Sequence, residues 1–332
     1  MVSQVVDRVV ASGVMPEPLL RAGIRASCTT RLRRERRLDR KEAFIDSLAR
    51  QSIAIETEKA NEQHYEVPPA FFELALGPRL KYSSCFWPAG VDTLSAAEDA
   101  MLELSCARAG IEDGMTILDL GCGWGSLTLW LAERYPSSTI VAVSNSQLQR
   151  AHIDARRAPN VTVLTADANV LDLHPRRFDR IMSIEMLEHM RNYDALLSRI
   201  ASWLEPGGRV FCHVFTHREL AYPYDAGWMS RRFFTGGTMP SDDLLPSLAK
   251  DLRLVRHWRV GGEHYARTAR HWLSNFDRNE LAVMDVLRQV YGPEAALWKR
   301  RWRLFFLATA GLFGHAGGQE WGVSHYRLRP VG

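Results

Sequence analysis

The chain is poor in several things that would settle its class at once. Its five cysteines, Cys28, Cys85, Cys106, Cys122 and Cys212, are odd in number and scattered, with no Cys-x-x-Cys pair. That argues against a disulfide framework or a zinc module, and it suits reduced thiols in a cytoplasmic protein. No apolar run approaches the roughly 20 residues that a membrane-spanning helix needs. The opening stretch, MVSQVVDRVVASGVMPEPLL, lacks the charged start and long apolar core of a signal peptide. Internal repeats and low-complexity segments are absent. Strong net charge is missing too: the 332 residues sum to +4. Residues 31–41, RLRRERRLDRK, hold seven basic and two acidic residues, so the remainder is near −1. A broad basic face for nucleic acid is therefore not indicated. The run itself reads as a solvated helix face or as a patch steering the protein to anionic lipid heads. The sequence admits a homodimer without requiring one.

What is present is an ordinary globular composition, 46% hydrophobic and 24% charged, long enough for one elaborated domain or for two. Spaced apolar positions in residues 1–60 predict two or three helices. NEQHYEVPPAFF breaks that pattern, because Pro68 and Pro69 cannot sit inside a helix. The loops around His64 and Tyr65, and around Tyr82 and Ser83 in KYSS, could close over a ligand; core packing explains each residue equally well. TLSAAEDAMLELSCARAGI reads as an amphipathic helix, with Ser95 and Glu98 at capping-box spacing. From Met115 the pattern changes. The runs MTILDL, STIVAVS, VTVLTAD, FDRIMSI and RVFCHVFT alternate with helical stretches, which predicts an α/β fold with a mostly parallel sheet covered on both faces. Residues 218–310 are aromatic and read as mostly helical, and EWGVSHYRL reads as a last edge strand. The expected organisation is a helical N-terminal region over 1–95 and a sheet domain over 96–332, with a helical cap inserted at about 218–310.

Two short stretches carry chemistry. LDLGCGWG places Asp119 just before Gly121, Gly123 and Gly125 at the end of the first strand. Glycines let the backbone turn and approach a ligand. The spacing is not the Gly-x-Gly-x-x-Gly fingerprint of dinucleotide binders, and an aspartate suits an amino-acid ammonium better than a phosphate. SIEMLEHM gathers Glu185, Glu188 and His189 within five residues. On a helix all three would share one face, and two carboxylates that close need a positive charge between them. A metal ion is one cure, since the spacing comes near a zincin pattern; with the first His replaced and no further ligand cluster in view, no metal is expected. A structural trio and a cationic substrate are the other readings.

LDLGCGWG resembles the first motif of class I S-adenosylmethionine-dependent methyltransferases, which implies a Rossmann-like sheet and S-adenosylmethionine as cofactor. The same resemblance puts Asp167 on the adenine amino group, with Ala168 donating from its backbone. Asn145 and Gln149 stand where an acidic residue usually holds the ribose. It implies further donor contacts at Tyr82, Ser83, Gly121, Gly123 and Ile184. More narrowly, LKYSSCFW, FDRIMSIEMLEHMRNY, FTGGTMPS and HWRVGGEHYARTARHWL look like the cyclopropane-fatty-acyl-phospholipid synthase superfamily, and most like its coclaurine N-methyltransferase-like branch. Residues 60–328 carry that likeness. The synthases hold a bicarbonate with a cysteine of a YSC motif, a glutamate, a histidine of an LHT motif and a late-helix tyrosine. Here Ser84 replaces the cysteine, Glu188 and His213 remain, and Phe305 and Phe306 stand where tyrosines are looked for. Synthases have glycine where this chain has Glu185; the amine branch has the Glu-x-x-Glu-His pattern. The resemblance thus implies N-methylation of a small, possibly isoquinoline-like amine, with the trio binding and deprotonating it. Lipid cyclopropanation or C-methylation stays as the alternative. His213, Trp228, Phe234, Tyr265, Trp302 and Phe306 are the candidate substrate contacts, although such aromatics more often fill a core.

Overall fold

The computed structural model describes residues 6–7, 10–55, 67–224 and 227–331. His64 and Tyr65 lie outside these residues. The N-terminal stretch forms α1 (Glu17–Leu38), α2 (Lys41–Leu48), α3 (Pro69–Ala75) and α4 (Leu94–Ala109). The alternating stretch forms β1 (Thr116–Leu120), α5 (Ser126–Arg134), β2 (Thr139–Ser144), α6 (Gln147–Asp154), β3 (Val161–Thr165), β4 (Phe178–Ile184), α7 (Tyr193–Ser202) and β5 (Leu204–His217). After it come β6 (Tyr222–Pro223), α8 (Trp228–Phe233), β7 (Thr238–Met239), α9 (Leu244–Leu248) and β8 (Leu252–Gly261). The chain ends with α10 (Gly262–Arg278), α11 (Glu280–Tyr291), α12 (Ala295–Phe313) and β9 (Trp321–Pro330).

Seven strands join in the order β3-β2-β1-β4-β5-β9-β8. β1 to β5 run parallel to one another, β9 is antiparallel to β5, and β8 is antiparallel to β9. Period-two alternation sorts the apolar side chains onto two faces. Leu118, Leu120, Val141, Val143 and Ile181 pack on the α7 side with Leu196, Leu197 and Ile200. Ile117, Ile140 and Met182 pack on the other side with Leu102, Cys106 and Leu131 of α4 and α5. A third core is aromatic. Phe71 and Phe72 of α3 share it with Trp272, Phe276, Trp302 and Phe306 of α10 and α12. All five thiols are buried. Among the described residues no helix is long and apolar enough to cross a membrane.

Three local expectations change. The stretch from residue 252 to 261, read as part of a helical cap, is strand β8, and β8 rather than β9 is the sheet edge. The misreading has a cause: Arg253, Arg256 and Arg259 recur every third residue, and a bulge between Leu254 and Arg256 breaks the strand alternation. The cap of α4 is Thr93, whose side chain accepts from the Ala96 N–H at 3.3 Å. Ser95 lies inside the helix, and Glu98 instead accepts the backbone N–H groups of Arg79 (2.9 Å) and Lys81 (3.2 Å). The basic run at 31–41 is in large part neutralised within the protein. Arg31 and Arg40 flank buried Glu35, Arg36 reaches Glu320, and Lys41 reaches Asp243. Replacing Thr93 by alanine is expected to cost ~0.5–2 kcal/mol of stability. Ser95→Ala should cost much less, and urea denaturation of the two variants checks the difference.

Candidate active site

The strand order reverses between β1 and β4, and at such a switch point the carboxyl ends of the strands open a crevice. Two adjoining cavities occupy it. Asn145, Asp167 and Ala168 line one; Tyr82, Ser83, Asp119 and Ile184 line the other; Gly121, Gly123, Gln149, Glu185 and His189 line both. Every donor-site residue expected from the sequence therefore borders one continuous cleft. The turn after β1 needs its glycines: Gly121 and Gly123 have φ of 86° and 53°, and a Cβ on Gly121 would come 2.6 Å from Met186 Cγ, while one on Gly123 would meet open space. Asp119 is fully buried and accepts from Thr128 Oγ1 at 2.6 Å. Burial pushes its carboxyl up to about 6. Ser144 Oγ donates to Gln149 Oε1 at 2.6 Å, and the buried Gln149 Nε2 has no protein partner. Ser126 Oγ is likewise buried without a partner, at the start of α5 in the same cleft. Unpaired buried donors beside a bare glycine turn fit a polar ligand such as S-adenosylmethionine.

The trio does not share a helical face. Glu185 follows β4 with φ of 47°, in the left-handed region, and its N–H donates to the His213 carbonyl at 2.8 Å. A one-turn 3-10 helix, Leu187–His189, comes after it. This backbone sends the three side chains different ways. Glu185 and His189 line the cleft and Glu188 does not. Glu185 Oε1 accepts from the Ser84 N–H at 2.9 Å and lies 3.1 Å from His213 Nε2; Oε2 accepts from Tyr265 Oη at 2.7 Å. Burial pushes this carboxyl up, opposed by the Lys81 ammonium, the Ser84 N–H, the Tyr265 hydroxyl and His189. Glu188 is fully buried, accepts from the Phe215 N–H at 2.6 Å with Oε1, and leaves Oε2 unpaired. Burial, then the nearby Glu185, push its carboxyl well above the ordinary range. His189 packs against Phe234 with ring centroids 4.4 Å apart, and burial pushes its imidazolium down to about 4.

Of the expected substrate contacts, Phe234 and Tyr265 line the cleft. His213 stands behind it, on Glu185. Trp302 and Phe306 belong to the aromatic core, and Trp228 is buried there with its indole N–H on Asp7 at 3.1 Å. Among the cleft walls that sequence reasoning missed are Leu80, Lys81, Trp124, Phe215 and Phe305. Lys81 is 2% exposed and its ammonium donates to the Ser84 carbonyl at 2.8 Å and to Ser83 Oγ. Burial pushes it down. A lysine inside the KYSS loop was its only sequence signal. Of the residues considered as bicarbonate ligands, His213 from its ring and Ser84 from its backbone N–H donate to the Glu185 carboxylate, the Ser84 hydroxyl donates to the Cys85 carbonyl at 3.3 Å, and Glu188 accepts a backbone N–H. A tyrosine hydroxyl reaches the same carboxylate from α10, as Tyr265. Among the described residues no three His, Cys, Asp or Glu side chains form a group that could hold a metal.

An open sheet of this order, with a glycine turn and a two-part cleft at its switch point, defines a class I methyltransferase. The chain belongs to the mycolic acid cyclopropane synthetase family, whose model matches residues 53–317. It is 38% identical over 292 residues to (S)-coclaurine N-methyltransferase of Thalictrum flavum subsp. glaucum, covering 84% of this chain and 81% of that one. It is 27% identical to the cyclopropane-fatty-acyl-phospholipid synthase of Escherichia coli (strain K12) over 264 residues, 79% of this chain and 66% of that one. A crystal structure of coclaurine N-methyltransferase bound to N-methylheliamine and SAH superposes with a TM-score of 0.93 at 32% identity, over 98% of each chain. The enzyme is a methyltransferase that uses S-adenosylmethionine as its methyl donor.

A carboxyl whose folded-state pKa is raised stabilises the fold least when it must ionise. For Glu188 stability is greatest below the ordinary carboxylate range and falls as pH rises toward the folded value. Glu188→Gln cannot ionise, so its melting temperature should rise relative to wild type between pH 5 and pH 8. A difference that stays flat over that interval would mean that Glu188 ionises normally in the fold.

Proposed function

We propose that the enzyme transfers the methyl group to the nitrogen of a small amine of the isoquinoline type. The observation that carries this reading is Glu185: an acidic side chain on the cleft, at the junction of its two halves, where the lipid-modifying relatives are expected to have glycine. The 38% identity to a coclaurine N-methyltransferase supports it from a second direction.

When bound, S-adenosylmethionine supplies an electrophilic methyl group on a sulfonium sulfur. Asp119 offers a carboxylate to its ammonium, Gln149 and Asn145 offer polar groups to its ribose, and Asp167 with the Ala168 backbone reads its adenine. Tyr82, Ser83 and Ile184 close the methyl end. An alkylamine arrives protonated, without a lone pair to attack with. Glu185, restrained by three donors, attracts the ammonium into the cleft. His189 is neutral at neutral pH, because burial holds its imidazolium at about 4, and so enters the reaction as a base and not as a cation. As a proton moves onto it, the adjacent Glu185 carboxylate stabilises the imidazolium. The two groups therefore titrate as a unit, and Glu188, off the cleft, acts as a support through Phe215. Phe215, Phe234, Tyr265 and Phe305 form apolar walls that exclude water and offer cation–π contacts, at about 0.5–2 kcal/mol each. Alignment of nitrogen and methyl can contribute ~7–11 kcal/mol.

The apolar walls also favour a second reading, methylation or cyclopropanation of a lipid alkene. Against it, the donors that would hold a free anion there, the Ser84 N–H, His213 and Tyr265, already serve the Glu185 carboxylate. Incubation with labelled donor should separate the two. Label is expected to enter members of a panel of secondary cyclic amines and not unsaturated phospholipid vesicles; label in lipid alone would overturn the amine reading.

A further inference from the structure

Behind Glu185 a row of side chains, two buried histidines and a half-buried arginine, runs away from the cleft. It starts at Arg108, in the last turn of α4, whose Nη1 lies 2.7 Å from His325 Nδ1. A guanidinium has only donors, so His325 Nδ1 is the acceptor and the neutral ring carries its proton on Nε2. That nitrogen lies 3.0 Å from His213 Nδ1, which must then accept. His213 is left with its own proton on Nε2, 3.1 Å from Glu185 Oε1. One obligate donor thus sets the direction of every bond in the row, and the row ends as an N–H aimed at the carboxylate.

The fold builds this row with care for position. His213 on β5 and His325 on β9 face each other directly in the antiparallel register, with ring centroids 4.7 Å apart. Both rings are fully buried, and burial holds both imidazolium forms well below the ordinary value, with Lys81 and Arg108 acting in the same direction. The Arg108 guanidinium stacks over Trp258 at 5.0 Å. Neither Arg108 nor His325 lines the cleft.

We propose that Arg108 and His325 are positioning residues for the amine: they lock His213 in the Nε2–H tautomer, and so keep the Glu185 carboxylate ionised and aimed. The proposal rests on the reading of Glu185 as the amine's anchor. A row running the other way would present a lone pair to Oε1 and favour the protonated acid, which attracts no ammonium. No proton travels along the row, because each link requires the tautomer it starts with. The charged and titratable groups that face it are Lys81, His189, Tyr265 and Glu188 around Glu185; Lys81 around His213; Lys81 and His257 around His325; and Arg256 and Arg327 beside Arg108.

The test uses the full chain. His325→Gln keeps an acceptor for Arg108 and a donor for His213; His325→Leu keeps bulk and removes both; Arg108→Met removes the first donor. His325→Leu and Arg108→Met are expected to raise the KM for the amine about tenfold. They should also move the acid limb of kcat/KM up by about one pH unit, because Glu185 then ionises less readily. Donor affinity by calorimetry should stay within about twofold in every variant, and His325→Gln should behave as wild type. Nitrogen-15 spectra of histidine-labelled wild type should show Nε2–H tautomers for both rings. The proposal is overturned if His325→Gln is as impaired as His325→Leu, if the acid limb does not move in Arg108→Met, or if either ring carries its proton on Nδ1. Wild type that methylates no amine would instead sink the functional reading, while the tautomers still test the row.

Discussion

The structure is organised around one buried carboxylate. Removing an ionised Glu185 from water is costly unless hydrogen-bond donors replace the solvent. Three donors do so, and they come from far apart in the chain: the Ser84 N–H before α4, His213 on β5 and Tyr265 on α10. The N-terminal region, the sheet and the α-helical segment between β8 and β9 therefore meet at a single side chain. Its left-handed backbone, at φ of 47°, belongs to the same arrangement. Such strain persists only where the surroundings over-determine it, and it gathers at functional sites.

The other parts of the molecule read as consequences. The glycine turn after β1 brings the donor side of the cleft up to Glu185 and His189. The aromatic core beneath α10 and α12 holds Tyr265 at its bond to Glu185: Tyr265 stacks on Phe313 with centroids 4.2 Å apart and meets Trp272 edge-on at 6.0 Å. Trp302 is part of that support, since it touches Phe71, Phe72, Phe233, Phe305 and Phe306 and does not line the cleft. The Glu185 carboxylate is held by the Ser84 backbone N–H, the His213 ring and the Tyr265 hydroxyl, so a free anion would find these donors already engaged.

How much of this could be read from the sequence depends on how local the cause is. The glycine turn was legible because positive φ demands glycine within a few residues, and Asn145, Gln149, Asp167 and Ala168, which line the same cleft, follow it in chain order. The parallel sheet was legible from its apolar runs. The split within SIEMLEHM was not. Counting by three and four assumes a helix, and nothing local announces that Glu185 turns left-handed and faces the cleft while Glu188 turns to Phe215. His325 was equally hidden: in SHY it is one histidine on a strand, and only the pairing of β5 with β9 sets it against His213, 112 residues away. Phe305 and Phe306 are neighbours on α12, and only tertiary packing separates them: Phe306 turns to Trp272 and Phe276, and Phe305 to Tyr82 at the cleft. Strand β8 was lost because an edge strand carries charges on its exposed positions, and here they recur at a helical spacing.

The central claim is that the cleft recognises a positive charge through Glu185. The direct measurement is the affinity of the protein, saturated with S-adenosylhomocysteine, for two ligands of the same shape: a quaternary N,N-dimethyl tetrahydroisoquinolinium and its neutral carbon isostere. Wild type is expected to bind the cation at least about tenfold more tightly, a preference worth ~1.4 kcal/mol, and Glu185→Gln is expected to lose it. Equal affinity for both ligands in wild type, or a preference that survives in Glu185→Gln, would contradict the account.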